Sequence, residues 1–126
     1  MENNKNLGIW MDHAEANFID IDAIENNHSI VSKFTFETMD EAIRKNENLM
    51  HNKRQQLQEA YYNEIAEEIL KYDQVLLFGP TNAKTELYNY LQLDLHYKDI
   101  KFDVEPADKM TDNEKNAYVK KHFEMN

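Results

Sequence analysis

Apolar and polar positions alternate along the chain in a way that separates it into two unlike halves. Leu7 to Met11 form a short apolar run, Asp12-His13-Ala14-Glu15 is polar, and Ala16 to Ile21 is apolar again apart from Asn17 and Asp20. Two strands joined by a tight connection are the simplest reading. After a second polar stretch at Asp22 to Asn27, Ile30, Phe34 and Phe36 alternate with Lys33 and Thr35, which predicts a third, half-buried strand over 29–36. Residues 37–54 are polar and charged and contain neither Gly nor Pro. They read as a connection, expected to be mobile and to gain helix on binding.

The second half has a helical period. Leu57, Tyr61, Ile65 and Ile69 recur every fourth residue, with Tyr62, Ala66 and Leu70 widening the same face, so a helix is predicted over 55–71. Val75-Leu76-Leu77-Phe78 is continuously apolar, as in a strand buried on both faces, and Gly79-Pro80 breaks it. Thr81 or Asn82 can cap a helix whose buried side is Ala83, Leu87, Tyr90 and Leu91. Ile100, Phe102 and Val104 alternate with charged residues up to Pro106, giving another strand. Thr111 and Glu114 then form a capping box before a last helix with Ala117, Tyr118, Val119 and Phe123. A helix–strand–helix–strand order needs right-handed crossovers and parallel pairing, whereas the first three strands form an antiparallel meander. The fold class is therefore α/β: a single domain, 1–126, with a mixed sheet of about five strands flanked by helices.

Composition narrows the function. The chain has no cysteine, which removes disulfides, thiolate metal sites and cysteine nucleophiles. No segment is apolar for long enough to span a bilayer, and Met1 to Asn6 has no basic stretch leading into an apolar one, so neither a membrane span nor a signal peptide is expected and a cytoplasmic location is. Twenty-four acids against 14 bases give a net charge of −10, which disfavours nonspecific binding to nucleic acid. Against that background Arg44, Lys45, Lys53 and Arg54 stand out, with Glu47 as the one acid among them. Such a segment, rich also in Asn and Gln, suits phosphates and polar RNA edges, while a solvated linker is its plainer reading.

Two other places carry candidate chemistry. The Gly79-Pro80-Thr81-Asn82 junction lies where a strand meets a helix N-terminus, a position that offers free N–H groups to an anion. Two glycines in the whole chain are too few for a phosphate-binding loop, so an ordinary turn is the alternative. Asp12 beside His13 suits acid–base work, and Asp12 with Glu105 and Asp108 would suit Mg²⁺, as in nucleases of ribonuclease H type, if the last strand neighbours the first. No other cofactor is expected. His28, His51, His96 and His122 show no ligand spacing.

The meander, the polar excursion, the long helix, Val75 to Pro80 and Ala83-Lys84-Thr85-Glu86-Leu87 together resemble the middle domain of eukaryotic and archaeal-type peptide-chain release factors and of Pelota, and stand-alone bacterial relatives of the host attachment type. Ile9 to Ala16 is similar to the strand–turn–strand opening of those domains, and Val104 to Thr111 to their closing strand and helix start. The resemblance implies a translation-related domain. Release factors carry a Gly-Gly-Gln loop at the place of residues 37–56. Gln55 and Gln56 are present here, but no glycine lies between Gly8 and Gly79, so the resemblance points to a noncatalytic binding module. Its expected partners are the ribosome, RNA or a protein, met through residues 44–54. A metal-dependent phosphodiester hydrolase built on Asp12, Glu105 and Asp108 is one alternative. A structural homodimer joined along the meander is another.

Overall fold

The computed structural model describes residues 5–32 and 47–124, with 47–54 described by their backbone alone. Strands β1 (Asn6–Met11), β2 (Glu15–Ile19) and β3 (His28–Val31) form the meander. Helix α1 (Glu47–Ile69), strand β4 (Gln74–Gly79), helix α2 (Ala83–Gln92), strand β5 (Lys101–Pro106) and helix α3 (Asp112–Glu124) follow. The five strands make one sheet in the order β3-β2-β1-β4-β5. β1 pairs with β2 and β2 with β3 in antiparallel fashion, while β4 pairs in parallel with both β1 and β5. The fold class is thus α/β with a mixed five-stranded sheet flanked by three helices, as the pattern predicts. No helix among the described residues is long and apolar enough to cross a membrane.

Alternation decides which side chains go to which layer. Leu7, Ile9 and Met11 of β1 and Val75 and Leu77 of β4 face α1 and α2, where they meet Tyr61, Tyr62, Ile65, Ala66, Ile69, Leu87 and Leu91. Trp10, Leu76 and Phe78 point the other way, onto Val119, Tyr118 and Phe123 of α3. β1 and β4 are therefore covered on both faces, which is why their sequences read as unbroken apolar runs. On α3 the Tyr118 ring stacks on Phe78 with centroids 4.8 Å apart. Gly8 sits under Val119: a Cβ there would fall 2.3 Å from Val119 Cγ2, so the helix lies against bare backbone at that point.

Three boundaries differ from the sequence reading. α1 begins at Glu47, so the stretch 47–54 is helix and not connection. Asn48 is a weak helix former, but propensity costs only tenths of a kcal/mol per residue and a packed helix overrides it, here one anchored by the stripe from Tyr61 to Ile69. At the other end α1 stops at Ile69, and Leu70 is 50% exposed instead of joining the buried face. Tyr90 is half-buried, not fully so. β3 ends at Val31, and the expected continuation over 33–36, like the reading of 37–46 as a connection, lies outside the described residues.

Candidate functional site

The end of the sheet at which β1 and β4 both finish gathers most of the polar side chains that the sequence singles out. Parallel strands present this edge to a ligand because the crossover helices begin there with free N–H groups. The β1–β2 turn is fixed by Asp12, whose Oδ1 accepts from the backbone N–H of Ala14 at 2.7 Å and of Glu15 at 2.9 Å. This is the local hydrogen bonding that makes Asp a turn residue. β4 ends at Gly79 with φ +153, a conformation that side chains resist, and a Cβ there would lie 2.1 Å from the Met11 carbonyl oxygen. Only glycine lets the two strand ends close up.

Beyond Gly79 the chain uses its own groups at the start of α2. Thr81 Oγ1 accepts from the Ala83 N–H at 3.2 Å, the Asn82 side chain makes no capping bond, and Lys84 Nζ donates back to the Thr81 carbonyl. Glu86 supplies an acid in the first turn, complementing the helix dipole from within. At the Gly79, Thr81 and Asn82 site expected for an anion, the Ala83 N–H is thus met by the protein's own Thr81 hydroxyl.

Glu86 is the hub of the edge. Its Oε1 accepts from the Tyr62 hydroxyl at 2.7 Å and from Gln58 Nε2 at 3.0 Å, and lies 3.2 Å from His13 Nε2. Gln58 also donates to the Tyr62 oxygen at 2.8 Å, and the Tyr61 hydroxyl donates to the Asp12 carbonyl at 2.9 Å. Burial, and next the hydrogen bond to Glu86, hold the Tyr62 phenol far above its usual value. Burial and then the Asp12 charge do the same to Tyr61. Both phenols stay protonated and act as donors. The network joins the β1–β2 turn, α1 and α2 at one level. His13 therefore finds its acidic partner in Glu86, 73 residues along the chain, while its neighbour Asp12 is spent on the turn.

The three acids proposed for a metal do not come together. β4 lies between β1 and β5, so Asp12 and Glu105 are two strands apart. Glu105 accepts from the Tyr118 hydroxyl at 3.2 Å and pairs with His122 Nδ1 at 3.0 Å. Asp108 contributes its backbone carbonyl to Trp10 Nε1 at 3.4 Å. Among the described residues no group of three His, Asp or Glu side chains is placed to hold a metal ion.

The sequence reading also passed over His122, which is clamped between Asp103 at 3.0 Å on Nε2 and Glu105 on Nδ1. The available signal was the i, i+4 spacing of Tyr118 and His122 on the last helix and the alternation of Asp103 and Glu105 on the strand before it. Of the basic residues, Arg44 and Lys45 lie outside the described residues, and Lys53 and Arg54 fall on α1. A comparison of the sequence with protein-family models gave no match, and a comparison with curated proteins gave none either.

α1 gives this edge its reach. Tyr61, the first buried residue on it among those described, is tied to the end of β1 through Asp12, and residues 55–60 before it are exposed or half-buried. At roughly 1.5 Å per residue, about 21 Å of helix precede Tyr61. Because α1 then runs down the sheet towards Tyr72 beside Asp20, those preceding turns head past the strand ends.

Proposed function

We propose that the chain is a noncatalytic binding module, related to the release-factor middle domain, that docks on ribosomal RNA through the basic first turns of α1. The observation that carries this reading is the backbone of α1, which continues to Glu47 and so puts Lys53 and Arg54 on a regular helix ahead of the residues that anchor it. The Glu86 hub supports it from below, since four side chains from two helices and a turn hold the direction of that helix. A net charge of −10 disfavours nonspecific approach to a polyphosphate surface, which suits docking through one basic segment.

The test is co-sedimentation of the full chain with ribosomes over a salt series. Expected is association that weakens steeply with salt, because each phosphate contact adds about one unit to the log–log salt slope. Lys53→Glu with Arg54→Glu should abolish it while circular dichroism remains native. Association that ignores salt, or that survives the double reversal, rules out this docking mode.

A further inference from the structure

Lys115 has an unusual place for an ammonium group. It lies on α3 with its side chain 9% exposed, and Nζ sits 4.1 Å from the centre of the Trp10 ring. Three N–H donors face one acceptor within hydrogen-bond range among the described residues, Asn17 Oδ1 at 2.5 Å. The nearest carboxylate, Asp112, is 3.9 Å away, and its own side chain is 96% exposed, so water screens that pair. Buried charges are as a rule paired with an opposite charge. Here the close partners are the ring face and one amide oxygen.

The lysine borders a cleft of about 310 Å³ between α3 and the β2–β3 hairpin. Asn17, Asn27, Ser29 and Asn116 make its walls polar, and the exposed Asp112 carboxylate lines it as well. The amide of Asn17 is held in place, with Nδ2 donating to Ser29 Oγ at 2.9 Å and Oδ1 turned to the lysine. Its volume is at the small end for ligand sites.

We propose that this cleft binds a small carboxylate-bearing molecule whose carboxylate meets Lys115 Nζ. A single ammonium neutralises a single negative charge. A phosphate dianion would leave one charge uncompensated beside Asp112 on a strongly acidic protein, so a monoanion fits better. The hydroxyl and amide groups of the walls match a ligand with a further hydroxyl. The site lies on the α3 face of the sheet and stands apart from the docking edge, so neither reading depends on the other.

Trp10 is the one tryptophan of the chain and reports on Lys115 directly. The full chain is titrated with glycolate, with phosphate and with chloride at matched ionic strength. Expected is a saturable change in Trp10 emission with glycolate, half complete at roughly 1–10 mM for a ligand of so few atoms, at least tenfold weaker with phosphate and absent with chloride. Lys115→Met keeps the stem over the ring and should remove the response. Asn17→Asp places a resident carboxylate against the ammonium, and it should abolish glycolate binding while raising the melting temperature. That second variant decides the matter even if Lys115→Met fails to fold. An identical response to chloride, phosphate binding as tight as glycolate, or an Asn17→Asp protein unchanged in both respects overturns the proposal.

Discussion

Replacing Gly8 with alanine tests whether the bare backbone beneath α3 is required by close packing. The added Cβ would lie 2.3 Å from Val119 Cγ2 and 2.7 Å from Cγ1. Carbon atoms pack at about 3.5–4.0 Å, so the shortfall is on the order of 1 Å. Val119 is completely buried and cannot swing aside, since Trp10, Leu76 and Phe78 surround the same contact. The helix must lift or the sheet must bend. Overpacking of this kind costs roughly 1–3 kcal/mol, and two methyl contacts at once place Gly8→Ala near the upper end, about 3 kcal/mol. Alanine's better strand propensity offsets less than about 1 kcal/mol of that. For a domain of this size the melting temperature should fall by roughly 10 °C. Val119→Ala alone should cost about 2 kcal/mol from lost burial and a residual cavity. In the double variant the new methyl of residue 8 enters the space vacated by the valine. The combined loss should then be about 1–2 kcal/mol, well short of the roughly 5 kcal/mol that independent sites would give. Urea unfolding followed by far-ultraviolet circular dichroism and Trp10 fluorescence measures all three variants. Additive losses, or a Gly8→Ala protein as stable as the parent, would refute the packing argument.

Two pH effects follow from the same structure. Glu114 accepts from the Thr111 N–H at 3.0 Å while its own N–H donates to Thr111 Oγ1 at 3.2 Å, and the backbone hydrogen bond holds the carboxyl below its ordinary 4.5. A depressed folded value means that this contribution is full above pH 4.5 and lost as pH falls through the lower value, so Glu114→Gln should flatten the acid limb of the stability profile; an unchanged limb counts against the box. Tyr61, Tyr62 and Tyr72 are raised above 10.0, by burial first in each case, so their contribution is full below pH 10 and lost as pH rises beyond it. Ultraviolet titration should show their phenolate absorbance appearing together with loss of circular dichroism. Ionisation near pH 10 in a protein with native circular dichroism would contradict their burial.

Sequence periodicity revealed the elements because burial alternates where strands and helices pack. The run from Val75 to Phe78 announced a strand covered twice, and Thr111 with Glu114 announced the start of α3, since both signals are local. What depends on strand order was hidden. The metal reading required β5 beside β1, and nothing within either strand could show that β4 separates them. Glu86 was legible as a first-turn acid but not as the partner of His13, because that pairing exists only once α2 lies against the β1–β2 turn. Nothing in the sequence singles out Lys115. Its burial follows from Trp10 facing α3 across the sheet, a consequence of register and not of sequence spacing.

β1 has two partners that reach it at very different times. Its pairing with β2 closes within the first nineteen residues, whereas Asn6 meets Gln74 only after α1 has been made. A β1–β2 hairpin that closes before Gln74 is made leaves the Leu7 to Met11 edge without its β4 partner for as long as the next half-hundred residues take to be synthesised. At roughly 5–20 residues per second that is a window of several seconds. During it a strand that is covered on both faces in the finished protein is an edge strand, open to pairing with another chain. Aggregation during synthesis should accordingly depend on how quickly β4 arrives, and slowing translation between α1 and β4 should lower the soluble yield without altering the stability of the molecules that do fold.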